Sequence, residues 1–322
     1  MPNILILGGS GYIGLALSQS LVRSGNYTVW GTARTPEKAR LLLQNEITPT
    51  TDKDVTDPVT LSNIVLENDI DIVADITSAY EQASHILQGV IRAATARRDA
   101  LADENLVGPK LGFVYCSGSW VYGSPSERVS DLSPVGSVCL SKGKAATAVA
   151  WRPAHEQAVL AARDILDVAI LRPSTIYGRG SWDWNTWWSG ILKAKKDNND
   201  SDPIQIPAYI TTRTGIVHVD DVAAGFHEAI DRIDGGLGGW PVFDLVAETV
   251  GIQEIIEGVK AALGVAAEAE YTGTHGDVFL EAMGLVSKND AARARTVLEW
   301  EPKRKDFVLN LPVFVRAWEA AQ

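Results

Sequence analysis

Three glycines spaced three residues apart lie near the start of the chain, at Gly8, Gly11 and Gly14. They follow a short apolar run and open an amphipathic stretch, which is the order strand, turn, helix. Glycine permits the tight turn, lets backbone N–H groups approach a ligand without a Cβ clash, and allows a helix to pack closely on a strand. The helix N-terminus adds unpaired N–H groups and partial positive charge. The segment therefore predicts a site for the pyrophosphate of a dinucleotide, formed by Gly8, Ser10, Gly11, Tyr12, Ile13 and Gly14.

The residues at the end of the second predicted strand indicate which dinucleotide is bound. Proteins that bind NAD usually place an acidic side chain there, where it accepts a hydrogen bond from the ribose 2′-OH. This chain has no acid at that point and carries Arg34, with Lys38 one helical turn further on. Both cations suit a 2′-phosphate. The sequence therefore favours NADP as the cofactor, with NAD as the second choice.

Short apolar runs alternate with helical stretches over the first half of the chain, which is typical of βαβ units and a parallel sheet. The predicted strands are residues 3–7, 27–32, 47–51, 70–75, 112–116 and 168–171. The predicted helices are residues 12–24, 36–45, 58–67, 82–102 and 147–162, with Thr35 and Asp57 as N-caps of the second and third. We predict an α/β fold with a doubly wound parallel sheet of the Rossmann type over residues 1–172. A smaller C-terminal substrate lobe follows over residues 173–322, from which a strand near residues 242–246 rejoins the sheet.

Composition excludes several classes of function. The net charge of −11 argues against nucleic acid as the main partner, because binding to a phosphate backbone needs a basic surface. No run approaches the roughly 20 apolar residues of a membrane span, and the first residues form a strand rather than a signal peptide. Cys116 and Cys139 make no disulfide framework and no cluster with metal-ligand spacing. We expect a cytoplasmic protein without a metal, acting on a small molecule.

Four later segments extend a similarity to one family along nearly the whole chain. Residues 54–57 read Asp-Val-Thr-Asp, residues 117–123 read Ser-Gly-Ser-Trp-Val-Tyr-Gly, residues 171–178 read Leu-Arg-Pro-Ser-Thr-Ile-Tyr-Gly, and residues 217–223 read Val-His-Val-Asp-Asp-Val-Ala. With the glycine segment, they resemble the extended short-chain dehydrogenases/reductases, the group that contains nucleotide-sugar epimerases and dehydratases. The resemblance implies an NAD(P)-dependent enzyme.

The same resemblance implies further site residues. It places the adenine against Asp54 and Val55 and the nicotinamide against the segment that follows the sixth strand. The other implied cofactor contacts are Thr77, Ser117, Arg152, Pro173, Ser174 and Ile176. The implied substrate contacts are Thr175, Tyr177, Trp182 and Arg213. The candidate catalytic residues, from the strand-five block, are Ser117, Ser119 and Tyr122.

The chain departs from the family at the catalytic position. The family carries Tyr-x-x-x-Lys on helix five, where the tyrosine moves a proton and the lysine lowers the tyrosine pKa and holds the ribose. No tyrosine in this chain has a lysine four residues later. Aligned on Glu156, Arg152 takes the lysine position and Ala148 the tyrosine position, while Gly118 takes the place of the strand-five Ser or Thr. Arginine can still hold a ribose, but alanine cannot transfer a proton.

Three interpretations of this departure remain open. Another acid can substitute, and the candidates are Tyr122, Tyr177, His155 and His218. Buried tyrosines and histidines usually satisfy local hydrogen bonds, and we expect His218 to cap or brace the following helix. Alternatively, binding and orientation suffice for the reaction, or the fold is a non-catalytic NAD(P) sensor or scaffold. We favour an atypical NADP-dependent oxidoreductase or epimerase/dehydratase-like enzyme on a small organic substrate.

Tryptophans cluster directly after the predicted substrate segment, at Trp182, Trp184, Trp187 and Trp188. They either anchor the small lobe to the core or form an aromatic wall for an apolar or planar substrate. A nucleotide-sugar would require a basic residue for its diphosphate, for which Arg213 is the candidate. In the family, helices four and five pair across a two-fold axis, so the resemblance also implies a homodimer.

Overall fold

The computed structural model describes residues 1–51, 53–198 and 200–322. Its strands are β1 (Asn3–Leu7), β2 (Thr28–Thr32), β3 (Thr48–Thr50), β4 (Ile72–Asp75), β5 (Leu111–Cys116), β6 (Val129–Ser130), β7 (Leu166–Pro173), β8 (Thr175–Tyr177), β9 (Ile204–Ile206), β10 (Arg213–His218), β11 (Val242–Leu245), β12 (Glu248–Gly251), β13 (Ala269–Tyr271) and β14 (Asn289–Asp290). Its helices are α1 (Tyr12–Ser24), α2 (Pro36–Gln44), α3 (Pro58–Glu67), α4 (Ala83–Asp103), α5 (Arg152–Ala161), α6 (Asn185–Asp197), α7 (Val219–Asp231), α8 (Ile252–Leu263), α9 (Val278–Met283), α10 (Ala292–Val297) and α11 (Phe307–Glu319).

A seven-stranded parallel sheet forms the centre of the molecule, in the order β11-β7-β5-β4-β1-β2-β3. The inner strands are continuously apolar because helices cover both faces of the sheet, and residues such as Ile4 and Leu5 are fully buried. From β1, the strands β2 and β3 are added on one side, and β4 and the later strands are added on the other. A sheet with this change of direction binds ligands in the crevice at the carboxyl ends of the two strands where the change occurs, here β1 and β4. The predicted doubly wound α/β fold is confirmed.

The sheet edges differ from its centre. β3 is short and polar and contains Pro49, which lacks a backbone N–H and is tolerated in an edge strand. At the other side, β7 is longer than predicted because it pairs with both β5 and β11. β11 comes from the C-terminal half of the chain and lies parallel to β7, with Val242 opposite Ile170.

Helix boundaries follow local sequence signals. The predicted N-caps are confirmed, since the side chains of Thr35 and Asp57 accept hydrogen bonds from Lys38 N at 3.3 Å and Thr60 N at 2.7 Å. The helix predicted over residues 147–162 was placed too early. Thr147–Val149 is a 3₁₀ turn and α5 begins at Arg152, because Pro153 is tolerated only in the first turn of a helix.

The C-terminal half builds a second core. Its small sheet has the order β12-β10-β8, and β9 pairs with β13. Trp184, Trp187 and Trp188 are each 1 % exposed and pack with residues of α8 and α11. These tryptophans therefore fill the interior of this second core. In the part of the chain that the structure describes, no helix is both long and apolar enough to cross a membrane.

Candidate cofactor and substrate site

The glycine segment forms a tight turn between β1 and α1. Gly8 has a φ of +80°, a conformation that L side chains rarely adopt, and a Cβ there would lie 2.9 Å from Ile76 O. A Cβ on Gly14 would lie 2.1 Å from Gly8 O, so the helix can begin this close to the turn only with glycine. Gly8 N donates to Thr32 Oγ1 at 2.8 Å and thereby ties the turn to β2.

The start of α1 leaves backbone donors for an anion. The first bond within the helix runs from Leu15 N to Gly11 O at 2.9 Å, so the amides of Tyr12, Ile13 and Gly14 have no acceptor inside the helix. A diphosphate fits this arrangement because the N–H groups and the helix dipole both favour negative charge. The Tyr12 hydroxyl is already committed, since it donates to Gly178 O at 2.6 Å.

The two predicted NADP-selecting cations lie at the carboxyl end of β2. Arg34 is exposed and Lys38 half-buried. Neither side chain forms an ion pair with any residue that the structure describes. Among the residues described by the structure, no acidic side chain neutralises their charges.

The predicted adenine segment is ordered by its own side chains. Asp54 Oδ1 accepts from Thr56 N at 2.9 Å and from Thr56 Oγ1 at 2.6 Å. These bonds hold the pKa of Asp54 below its ordinary value, because they stabilise the carboxylate. Val55 is half-buried and packs on the same cluster as Trp30 of β2.

A similar turn closes β4. Asp75 is buried, and its Oδ1 accepts from Thr77 N at 3.0 Å and from Thr77 Oγ1 at 2.8 Å. Burial raises the pKa of this carboxyl. Asp75 lies opposite Leu7 in the sheet, so Thr77 lies beside the glycine turn, as a cofactor contact requires.

Arg152 lies in the same crevice with an unsatisfied donor. Its guanidinium is 5.1 Å from the ring centre of Tyr80 and 5.7 Å from that of Trp151. The side chain is buried, and Nε has no hydrogen-bond partner in the described part of the chain. A Cβ on Gly118 would lie only 2.6 Å from Arg152 Nη1. Gly118 and Arg152, predicted to take the positions of the family's Ser or Thr and Lys, are therefore sterically matched.

Residue 148, predicted to take the position of the family's tyrosine, is surrounded by apolar contacts. Ala148 belongs to the 3₁₀ turn before α5 and packs against a buried group made of Ala146, Val149 and Ala282. Ala282 belongs to α9 of the C-terminal half. No proton-transferring side chain stands at residue 148.

The predicted catalytic residues are not brought together. Ser117 Oγ donates to Glu156 Oε1 at 2.5 Å, and Glu156 forms an ion pair with Arg172 that is almost fully buried. Arg172 Nη1 donates to Tyr122 Oη at 2.6 Å, and that hydroxyl also lies 3.0 Å from both Asp244 carboxyl oxygens. Burial raises the pKa of Tyr122 far above its ordinary value. Ser117 and Tyr122 are thus engaged in an internal polar network, whereas Ser119 borders a cavity.

That cavity is polar and has a volume of about 10 Å³, room for about one water-sized group. Ser119, Thr175 and Thr214 line it together with Ser287 and Asn289. Asn289 Nδ2 is buried without a partner among the described residues, as is the hydroxyl of the neighbouring Ser174. Sequence reasoning missed Ser287 and Asn289, because they lie just before β14 and within it and carry no motif.

The remaining predicted substrate residues divide between core and surface. Tyr177 is fully buried and donates to Arg304 O at 2.9 Å. Trp182 is 60 % exposed and stacks on Phe279, with ring centres 5.6 Å apart. Arg213 is exposed at the start of β10. Pro173 and Ile176 lie in or beside the crevice strands β7 and β8.

The two candidate histidines serve local packing. His155 is buried against Tyr115, with ring centres 4.7 Å apart, and burial lowers its pKa. His218 Nδ1 accepts from Asp220 N at 3.1 Å, which confirms the predicted cap of α7. Among the described residues, no group of His, Cys, Asp and Glu could hold a metal ion.

Two solved structures with the same fold carry the names of nucleotide-sugar enzymes. The dTDP-glucose 4,6-dehydratase of Bacillus anthracis, in complex with NAD, is 16 % identical with a TM-score of 0.70, covering 100 % of this chain and 98 % of that one. The UDP-glucuronic acid 4-epimerase of Bacillus cereus, in complex with UDP-glucuronic acid and NAD, is 18 % identical with a TM-score of 0.68, covering 99 % of this chain and 98 % of that one. At these identities the likeness establishes the fold.

Family membership follows from the sequence itself. A search of curated proteins found no significant match. The model of the NAD dependent epimerase/dehydratase family matches residues 4–240, which is most of the chain and includes the glycine turn and the crevice. The chain is therefore a member of the NAD-dependent epimerase/dehydratase family, the extended short-chain dehydrogenase/reductase type of enzyme.

Proposed function

We propose that this chain is an atypical NADP-dependent oxidoreductase or epimerase/dehydratase-like enzyme that acts on a small organic substrate without the family's Tyr-x-x-x-Lys pair. The observation that carries the proposal is the turn at Gly8–Gly14. Its glycines leave room for a diphosphate where any Cβ would meet backbone, and the amides of α1 are free to bind it. When bound, the dinucleotide supplies hydride-transfer chemistry.

The residues of this chain would hold the cofactor from three sides. The α1 amides bind the diphosphate, and Thr77 borders its path beside β1. Arg152 would donate to ribose hydroxyls, since its buried Nε lacks a partner among the described residues. An arginine keeps its charge throughout, so it serves as a fixed clamp rather than as a proton carrier.

The preference for NADP rests on Arg34 and Lys38. Both are free of ion pairs with the described residues, and no acid stands at the end of β2 to bind a ribose 2′-OH. A guanidinium–phosphate contact is a charge-assisted hydrogen bond, about twice as strong as a neutral one. We therefore infer that the 2′-phosphate of NADP is recognised here.

The substrate is inferred to have an apolar or planar part. The exposed stack of Trp182 on Phe279 offers an aromatic surface next to the small polar cavity at Ser119 and Thr175. This combination suits a ligand that is mostly apolar with few polar groups. The named nucleotide-sugars of the structural relatives require a cation for their diphosphate, for which Arg213 is the candidate in this chain.

The test compares cofactor affinities by calorimetry for wild type, Arg34→Ala and a control, Arg23→Ala. Arg23 is exposed in the last turn of α1, away from the end of β2. We expect wild type to prefer NADPH over NADH, and Arg34→Ala to weaken NADPH by about tenfold, the equivalent of one charged contact. NADH affinity and the Arg23 variant should be unchanged. Equal affinity of wild type for both cofactors would refute the NADP preference.

Turnover separates the enzyme from the alternative of a non-catalytic sensor. A panel of apolar aldehydes and ketones with NADPH can be followed by nicotinamide absorbance. Nucleotide-sugars with the oxidised cofactor are followed by chromatography of the products, because epimerisation and dehydration return the cofactor to its oxidised form. Turnover of any of them supports the enzyme, while tight cofactor binding without turnover favours the sensor.

Assembly and location are part of the same proposal. A homodimer through α4 and α5 is inferred from the family resemblance, and a cytoplasmic location from the free thiols of Cys116 and Cys139. Sedimentation of the purified protein tests the first.

A further inference from the structure

The wall of the small polar cavity includes a glycine at which two hydroxyl groups converge. Gly215 lies in β10 and lines the cavity. A Cβ on this residue would lie 2.8 Å from Ser287 Oγ and 3.0 Å from Ser174 Oγ. Ordinary contact begins at 3.4 Å, so the two hydroxyl groups occupy positions that an alanine at residue 215 would disturb.

Asn289 brings an amide donor without a partner to the same cavity. Its Oδ1 accepts from Ser287 Oγ at 2.8 Å, whereas its Nδ2 is buried and has no hydrogen-bond partner among the described residues. Asn289 lies opposite Val129 in the sheet, so pairing with β6 fixes its backbone. Ser174 is 4 % exposed, and its hydroxyl is likewise unpartnered within the described residues. Buried polar groups without a partner are rare, and a ligand group or a water normally completes them.

The cavity offers hydrogen-bond donors rather than acceptors. Thr214 Oγ1 lies 3.0 Å from Thr175 Oγ1 and 3.2 Å from Gly215 O, so these three atoms already have partners. Asn289 Oδ1 is occupied by the Ser287 hydroxyl. The NH₂ group of an amide can only donate. The group that completes this arrangement is therefore an acceptor, such as a carbonyl oxygen.

The surroundings of the cavity favour an uncharged oxygen. Within the described residues, the cavity is lined by no charged side chain. The charged neighbours of Asn289 are held elsewhere, since Lys288 Nζ donates to Ser126 O at 2.7 Å and Asp290 pairs with Arg128 at 2.7 Å. A carboxylate or phosphate would lose its hydration here without gaining a counterion, at a cost that a neutral oxygen avoids. The volume of about 10 Å³ admits about one such group.

An aromatic surface leads away from the cavity. Trp120 lines the cavity and contacts Phe279 edge-on, with ring centres 5.9 Å apart. Phe279 in turn stacks on Trp182, with ring centres 5.6 Å apart, and Trp182 is 60 % exposed. The three rings form a continuous apolar surface from the cavity to solvent. A planar apolar group that lies on these rings can place its oxygen in the cavity.

We propose that Asn289 Nδ2, with the Ser174 hydroxyl as a second donor, binds the uncharged carbonyl oxygen of an aryl ketone or aldehyde. The ring of this substrate lies against Trp120 and Phe279. The inference rests on the proposed function and names its substrate class. Asn289 is then the residue that selects a substrate with an acceptor oxygen over an apolar molecule of the same shape.

The experiment compares acetophenone with α-methylstyrene, which has the same shape but carries a methylene group in place of the carbonyl oxygen. Affinities are measured by proton NMR titration with saturating NADP⁺, which cannot reduce the ketone. We expect wild type to bind acetophenone about tenfold more tightly, near the upper end of the range for one neutral hydrogen bond. Benzoate, whose carboxylate is charged, should bind at least about tenfold more weakly than acetophenone.

Two variants change the cavity in different ways. Asn289→Asp keeps the shape of the side chain and removes the amide donor, whereas Gly215→Ala places a methyl group beside the two hydroxyls. Each should reduce the preference for acetophenone over α-methylstyrene to less than about twofold. The control Asn63→Ala, on the exposed surface of α3, should behave as wild type. Melting temperatures of each variant verify that the chain is folded.

The outcomes separate the two levels of the proposal. If neither NADP(H) nor NAD(H) binds wild type, the proposed function is wrong and its substrate class falls with it. If the cofactor binds but wild type holds acetophenone and α-methylstyrene equally, the cavity holds only water and the role of Asn289 is refuted. A preference that survives in both variants, or tighter binding of benzoate than of acetophenone, refutes that role as well, while the cofactor proposal stands.

Discussion

The steric match between Gly118 and Arg152 predicts that their substitutions are coupled. Gly118 has a φ of −179°, an extended conformation open to any residue, so the backbone itself tolerates Gly118→Ala. The added Cβ would lie 2.6 Å from Arg152 Nη1, about 0.8 Å short of ordinary contact at 3.4 Å. The guanidinium must move, and its contacts with Tyr80 and Trp151 already lie at 5.1 and 5.7 Å.

The size of the effect follows from those contacts. Cation–π attraction fades beyond about 6 Å and is worth roughly 0.5–2 kcal/mol per contact. Displacement by nearly 1 Å should therefore cost about 1–2 kcal/mol of folding free energy for Gly118→Ala, within the range for overpacking. In an Arg152→Ala background, the Cβ meets no guanidinium and the cost should be near zero. The coupling energy of the cycle is accordingly about 1–2 kcal/mol.

The assay is urea denaturation of wild type, both single variants and the double variant, read by tryptophan fluorescence. NADPH affinity of the same proteins is measured in parallel, and Gly118→Ala should weaken it, because the displaced guanidinium is a proposed ribose contact. Equal destabilisation by Gly118→Ala with and without Arg152 would refute the steric argument.

Two further predictions concern the buried network. Glu156→Gln leaves the Arg172 guanidinium, itself 2 % exposed, without its counterion and should destabilise the fold by about 3–5 kcal/mol in urea denaturation. The surface pair of Glu228 with Arg232 provides the control, since Glu228→Gln should cost less than about 1 kcal/mol of folding free energy. Similar losses of folding free energy in both variants would show that the buried pair does not contribute more than the surface pair. Burial raises the pKa of Asp244 to about 8. The folded state therefore keeps a proton that the unfolded chain loses near pH 4. The free energy of unfolding should fall as the pH rises from about 4 to about 8. Asp244→Asn should flatten the melting temperature between those pH values, and an unchanged pH profile would show that Asp244 is ionised in the fold.

Local signals were sufficient to predict the turn and the helices that would hold the cofactor. The glycine spacing, the flanking strand and helix, and the caps at Thr35 and Asp57 all depend on residues within a few positions of one another, and each appears in the structure as the sequence predicts. Helix α5 was misplaced at its start because the pattern of apolar residues continues through the 3₁₀ turn, whereas Pro153 sets the boundary.

The substrate half depends on contacts between distant residues, which periodicity does not reveal. Asn289 reaches the cavity because β14 pairs with β6, across 160 positions between Asn289 and Val129. Tyr122 was a catalytic candidate from its motif, but its hydroxyl is engaged by Arg172 and Asp244 from other strands.

Calorimetry with Gly14→Ala tests whether the first turn of the chain binds the diphosphate of a nicotinamide dinucleotide. The new Cβ would lie 2.1 Å from Gly8 O, so the turn must open and its amides must separate. Gly239→Ala serves as the control, since a Cβ there meets nothing within 4 Å. We predict that wild type and Gly239→Ala bind NADPH alike and that Gly14→Ala loses at least about tenfold in affinity while remaining folded by circular dichroism. If a folded Gly14→Ala protein binds NADPH as tightly as wild type, the turn does not bind the diphosphate.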